Sequence, residues 1–131
     1  GSSYSEVDYS DLVVKETGDY DLYALRLLYV AEAEKWILIY AFESSSGGAD
    51  PTHFYIRASS YYDPEKFGAA VKVNVPSGWY IKTAQETHGA MEVGYSVTQS
   101  SWLFSTFVYD GASTYKQILG VISDPFICIM P

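Results

Sequence analysis

The stretch Tyr20-Asp-Leu-Tyr-Ala-Leu-Arg-Leu-Leu-Tyr-Val-Ala-Glu-Ala-Glu-Lys-Trp-Ile-Leu-Ile-Tyr-Ala-Phe42 decides how the chain is read. Two apolar runs, 20–31 and 36–42, flank the short charged connection Glu32-Ala-Glu-Lys35. In the first run Tyr23, Leu25, Leu27, Tyr29 and Ala31 share one parity. Leu22, Ala24, Arg26, Leu28 and Val30 share the other, and only Arg26 is charged. In the second, Trp36, Leu38, Tyr40 and Phe42 oppose Ile37, Ile39 and Ala41. A strand wet on one face alternates apolar with polar, whereas one covered on both faces reads as a continuous apolar run. Leu22, Leu25, Leu28 and Tyr29 would also make a helical stripe from good helix formers. The aromatic and β-branched second run and a connection of hairpin length decide for two long paired strands.

Outward from this hairpin the punctuation is that of an all-β chain. Leu12–Glu16 reads as a short strand before the turn Thr17-Gly-Asp-Tyr20. Ser44–Pro51 is a Ser/Gly loop, and His53–Ser59 alternates with Phe54, Ile56 and Ala58 inward and His53, Tyr55 and Arg57 outward. Ser60–Gly68 is a second long loop. Ala69–Val75 places Val71, Val73 and Val75 inward, and Pro76-Ser-Gly78 turns into a strand at Trp79–Thr83. After the loop Ala84–Gly89, Met91–Val97 alternates, and Ser101–Tyr109 is apolar on both parities. Asp110-Gly111 is the strongest hairpin signal in the chain and leads to Tyr115–Ile122, with a last strand at Phe126–Met130. Strands at roughly eight- to twelve-residue spacing with no convincing helix predict an antiparallel β-sandwich, jelly-roll-like, of roughly nine to ten strands.

The 131 residues suit one domain, expected over 12–131. Gly1-Ser2-Ser3 reads as an expression scar, and 4–11 as an acidic linker or loosely held arm. The single cysteine, Cys128, sits in an apolar run and reads as a small buried hydrophobe. Eight basic against sixteen acidic residues give a net charge of −8, which disfavours nucleic acid and anionic membranes as partners. No apolar run reaches the roughly 18 residues of a membrane span.

The chemistry-bearing residues are sparse. The two histidines, His53 and His88, lie on separate segments outside any motif, and neither a Gly-x-Ser-x-Gly elbow, a P-loop nor a zinc ligand cluster is present. The expectation is therefore a protein that is not an enzyme. Asp19-x-Asp21 after Gly18 crowds hard oxygen ligands into one turn and is the calcium candidate, with a solvated turn as the plainer reading. Tyr61, Tyr62 and Asp63 in a loop, and Trp79 and Tyr80 after a turn, are the candidates for a receptor or a glycan. Aromatic faces beside polar groups can stack on sugar rings, although Trp79 shares parity with Ile81 and fits a core position equally.

The doubly apolar strands carry the main functional expectation. In a two-layer sandwich each strand has one face to the core, so the second apolar face of 20–31, 36–42 and 101–109 needs cover. Loop side chains could supply it; so could a second copy of the chain. The expectation is a homo-oligomer, a dimer before a trimer, with Tyr23, Leu25, Leu27, Trp102 and Phe107 as contact candidates.

The organisation as a whole resembles the protruding domains of small icosahedral RNA-virus capsids of the nodavirus and tombusvirus kind. The likeness rests on the acidic, serine-containing entry Ser5–Asp11, the all-β body, the long loops Ser44–Pro51 and Ser60–Gly68, and the hydrophobic end Phe126–Met130. Phage receptor-binding tips share much of this pattern. The resemblance implies a spike on the virion surface, self-associated, with outer loops that meet a host receptor. It also implies calcium at acidic turns, where Asp19 and Asp21 are the positions. The competing readings are a monomeric carbohydrate-binding module and a small barrel whose surplus apolar face lines a ligand cavity.

Overall fold

The computed structural model describes residues 9–82, 91–111 and 113–123. Eight strands are found there: β1 (Leu22–Val30), β2 (Lys35–Phe42), β3 (His53–Ser59), β4 (Val71–Asn74), β5 (Tyr80–Ile81), β6 (Met91–Ser96), β7 (Ser101–Tyr109) and β8 (Tyr115–Ser123). They form two antiparallel sheets, so the chain is all-β. The first sheet is a meander, β1-β2-β3-β4. In the second, β7 is central, with β8 along one side and β5 and β6 end to end along the other. Among the described residues helix is limited to one turn, α1 (Tyr9–Leu12), and a 3-10 turn, Pro64–Lys66, and none is long enough to cross a membrane. The expected strand at Phe126–Met130, Cys128, the loop 84–89 and the segment 1–8 lie outside the described residues.

The opening stretch is a hairpin as its pattern predicts, with register from Leu22↔Phe42 to Val30↔Lys35. Its turn is Ala31–Glu34, one residue earlier than the charged connection, and Glu34 takes a left-handed φ of 53° there. Between Leu22↔Phe42 and Ala24↔Ala41 the register slips by one, so Tyr23 is a bulged residue. Beyond the bulge Leu25, Leu27 and Tyr29 share a face with Tyr40, Leu38 and Trp36, and Ala24, Arg26 and Leu28 share the other with Ala41, Ile39 and Ile37.

The second of these faces meets the second sheet. Ile37, Ile39, Ala41, Phe54, Ile56 and Ala58 pack with Ile81, Trp102 and Val108, all fully buried. Phe104 adds its ring edge-on to Phe54 at 5.5 Å. It also lies over Gly120, its partner on β8, where a β-carbon would overlap the ring.

Leu38, Tyr40 and Phe42 of the first face are buried as well, and by the chain itself. Leu12 from α1 and Phe67 from the 60–70 loop join Leu38, Tyr40, Phe42 and Tyr55 in a separate apolar cluster. Residues 12–16 are not the expected strand. They cross the sheet as a strap whose backbone is satisfied by side chains: the Tyr40 hydroxyl accepts from Val14 N–H at 2.8 Å and donates back to its carbonyl at 3.3 Å. Arg57 ties both covers down. Its guanidinium donates to the carbonyls of Leu12 in the strap and of Phe67 (3.2 Å) and Gly68 (2.9 Å) in the loop. One expectation is thereby corrected. Tyr55 and Arg57 point away from the inter-sheet core as the alternation predicts, yet both are buried. Leu38, Tyr40 and Phe42, on the second apolar face of β2, are covered by side chains of the same protomer.

Removing the guanidinium leaves three carbonyls without their charged donor. Arg57→Met keeps most of the apolar stem and is expected to cost about 3 kcal/mol in urea unfolding, with faster amide exchange over 12–16. Unchanged exchange there would show that apolar contact alone holds the strap.

Candidate functional site

Both ends of the sandwich present aromatic side chains, placed there by strand register. At the β1–β2 turn, Tyr29 and Trp36 are partners on the strap-covered face, with rings 5.3 Å apart and tilted by 58°. Tyr62 approaches Trp36 edge-on, also at 5.3 Å. The chain reaches that position because the Ser59 hydroxyl, at the end of β3, accepts from Tyr61 N–H at 3.0 Å. Asp63 then caps the 3-10 turn by accepting from Glu65 N–H at 3.0 Å. Tyr61 and Tyr62 are exposed, Tyr62 at 57 %. Asp63 is occupied with the cap and, with Asp11 and Glu65, lines an open cleft of about 470 Å³.

The other candidates lie at the opposite end, so 61–63 and 79–80 do not form one site. Hydrogen bonds from Val75 N–H to Thr52 and from Ile81 N–H to Pro51 (2.8 Å) set the Trp79–Ile81 segment beside the start of β3. Tyr80, Tyr109 and Tyr115 are register partners across β5, β7 and β8, with ring centroids 5.8 and 5.7 Å apart. The Lys82 ammonium lies 4.5 Å from the Tyr109 ring and 5.5 Å from that of Tyr115. Trp79 faces the other way, half-buried against the inter-sheet core, with the Lys116 ammonium 4.0 Å from its ring. Its core reading holds, and one of its faces is taken. Behind the row, Asp50 accepts from the hydroxyls of Tyr23 (2.8 Å) and Tyr109, one from each sheet.

Sequence reasoning missed Tyr29, Trp36, Tyr109, Tyr115 and Lys82. A signal existed: each aromatic pair straddles a hairpin turn, and counting back from the turn sets the two rings opposite one another.

The self-association candidates divide. Trp102 is fully buried in the inter-sheet core, which removes it from any contact surface. Leu25 and Leu27 are half-buried in the strap-covered cluster. Tyr23 is half-buried and bonded to Asp50. Phe107 is half-buried on the outer face of the second sheet. That face carries Leu103↔Val121 and Ser105↔Leu119 as register partners, with Leu119 71 % and Val121 59 % exposed. A shallow depression of about 270 Å³ beside Leu103 and Leu119 is floored by Gly94 and Phe104 and rimmed by Glu92. The surplus apolar face of the sandwich is therefore here, on β7 and β8.

Asp19, half of the calcium candidate, is buried and its carboxylate is filled by protein donors. Oδ2 accepts from the Tyr55 hydroxyl at 2.5 Å and from Glu16 N–H at 2.9 Å. His53 Nε2 lies 2.8 Å from Oδ1, and a carboxylate oxygen can only accept, so Nε2 carries the proton. Burial alone would raise the Asp19 pKa, but the Tyr55, Glu16 and His53 contacts together hold it below its ordinary value. Burial and the neighbouring carboxylate push the Tyr55 phenol well above its ordinary value. Asp21 is exposed, and among the described residues no three His, Cys, Asp or Glu side chains gather around a common point. The pair is not brought together as a ligand set. His88 lies outside the described residues.

Fold and surfaces define an all-β sandwich with a strapped, closed sheet, an open apolar sheet face and aromatic ends. Comparison with protein-family models, with curated proteins and with solved structures finds no match.

A carboxyl held below its unfolded value of 3.8 gives stability that is complete above that pH and is lost as pH falls through the lower folded value. Asp19→Asn is expected to cost about 2 kcal/mol at pH 7. The gap to the parent protein should close as unfolding is followed down from pH 4 to pH 2; a constant gap would rule out the carboxylate charge as the source.

Proposed function

We propose that this chain is a non-enzymatic attachment domain that works as a self-associated assembly. The observation that carries the reading is the outer face of the second sheet, where Leu103, Leu119, Val121 and Phe107 lie together and, unlike their counterparts on the first sheet, have no strap over them among the described residues. Apolar patches of this kind on a soluble surface mark contact sites. The His53–Asp19 pair, which could otherwise serve acid–base chemistry, is engaged by Tyr55 and the strap, which favours a tie over a catalytic role. The finer version is a capsid protrusion on a virion surface, a dimer before a trimer, whose outward end meets a host receptor or glycan.

A monomeric carbohydrate-binding module is the second reading, favoured by the exposed Tyr29–Trp36–Tyr62 cluster. Mass in solution separates the two. Sedimentation at micromolar concentration is expected to show an oligomer that Leu119→Glu with Val121→Glu converts to a folded monomer. A parent protein that is monomeric at every concentration tested removes the assembly and leaves the sugar module.

A further inference from the structure

We propose that the aromatic row Tyr29–Trp36–Tyr62, with the acidic cleft at its Tyr62 end, is a docking site for a proline-rich peptide segment that carries a basic residue.

The row follows from strand order. Tyr29 on β1, Trp36 on β2 and Ser59 on β3 are register partners, so they lie side by side across the first sheet. The Ser59 hydroxyl accepts from Tyr61 N–H, and this turn of the chain sets Tyr62 against Trp36. Trp36 is thus flanked by one tyrosine from β1 and another that follows β3. Tyr29 is 51 % exposed and Tyr62 57 %, so both outer rings are open to a ligand. Hairpin register and the Asp63 cap hold the rings before any ligand arrives, which lowers the ordering cost of binding.

Two features select the occupant. The first is shape. Trp36 is tilted by 58° to Tyr29 and by 79° to Tyr62, so the three rings make no flat shelf for a pyranose. Rings at such angles leave clefts between their faces, and the prolines of a polyproline II helix dock in aromatic-lined clefts of this kind. The two ring-to-ring steps of 5.3 Å are of the same scale as one turn of that helix, about 9 Å. Its backbone carbonyls are all turned outward, and the tyrosine hydroxyls and the Trp36 indole N–H are donors suited to them. The second feature is charge. Asp11, Asp63 and Glu65 line the open cleft of about 470 Å³, and Asp63 directly follows Tyr62. Asp63 is occupied with its cap, whereas Asp11 and Glu65 are exposed and make no ion pair among the described residues. An arginine or lysine entering this cleft, on a chain of net charge −8, gains charge-assisted hydrogen bonds, and an acidic group is repelled.

This site adds a partner class to the attachment reading and does not depend on assembly. A monomeric mass in sedimentation leaves the peptide site standing, and a silent peptide titration leaves the assembly standing.

The test is calorimetric titration of the intact chain with polyproline peptides that carry one arginine at the N- or the C-terminus, with the same peptides carrying glutamate instead, and with cellohexaose. At least one arginine peptide is expected to bind, and its glutamate counterpart and cellohexaose to bind at least roughly tenfold more weakly. Tyr29→Ala and Tyr62→Ala should each weaken the arginine peptide roughly five- to tenfold. Asp11→Asn with Glu65→Gln should cut the preference for arginine over glutamate at least roughly threefold, and Tyr115→Ala at the opposite end should change nothing. Nitrogen–proton correlation spectra establish that each variant is folded. In the parent protein the same spectra should show peptide-dependent shifts at 28–36 and 60–65 and none at 115–121. No binding of either arginine peptide, equal binding of the glutamate peptides, a charge preference unmoved by Asp11→Asn with Glu65→Gln, or binding insensitive to both tyrosine variants overturns the proposal. Tighter binding of cellohexaose overturns it too and returns the row to the sugar reading.

Discussion

One buried guanidinium organises the first half of this molecule. Arg57 sits on β3, an inner strand of the first sheet, beneath the strap and the loop, and donates to one carbonyl of the strap and two of the loop. A cation inside a protein is costly unless its donors are used. Here three carbonyls use them, and the Phe67 ring lies 5.6 Å away as further cover. Burial pulls the Arg57 pKa down from its ordinary value, and the Tyr40 phenol opposes that shift slightly. The outcome is a third layer over the first sheet, a strap and a loop, each with its backbone satisfied from below.

The strap makes the two sheets unequal. The first has Ile37, Ile39 and Ala41 against the second sheet and Leu38, Tyr40 and Phe42 buried beneath the strap and loop, with Tyr29 and Trp36 left partly open at the turn. The second is dry only on its inner side, and its outer side carries Leu103, Leu119 and Val121 in the open. Exposed apolar and aromatic side chains are thereby concentrated on β7, β8 and the two ends. An isolated exposed leucine would carry no weight; register partners on adjacent strands form a continuous face.

The tyrosine-rich composition has a physical use beyond strand propensity. A tyrosine reaches across an apolar layer and still ends in a hydrogen-bonding group. Tyr40 and Tyr55 use this to fasten the strap at Val14 and Asp19. Tyr23 and Tyr109, one from each sheet, both donate to Asp50, and Tyr23 is the bulged residue of β1. Tyr61, Tyr62 and Tyr115 remain exposed.

Much of the architecture was legible because the side-chain period of a strand is local. Continuous apolar runs at 20–31, 36–42 and 101–109, the Asp110-Gly111 turn and the alternations at 53–59 and 91–97 pointed to β1, β2, β3, β6, β7 and β8. The candidate surfaces were legible only in part. Tyr61 and Tyr62 stand exposed as expected, whereas Trp102 is core, Asp63 is a cap and Asp19 is a buried acceptor. The sequence pattern by itself thus determined that the chain is all-β and that some strands carry apolar residues on both faces. Tertiary structure alone decided what covers them, since Arg57 meets Leu12 and Phe67 from positions 45 and 10 residues away along the chain. Periodicity along a strand reports which way a side chain points, and carries no information about which distant segment will lie there.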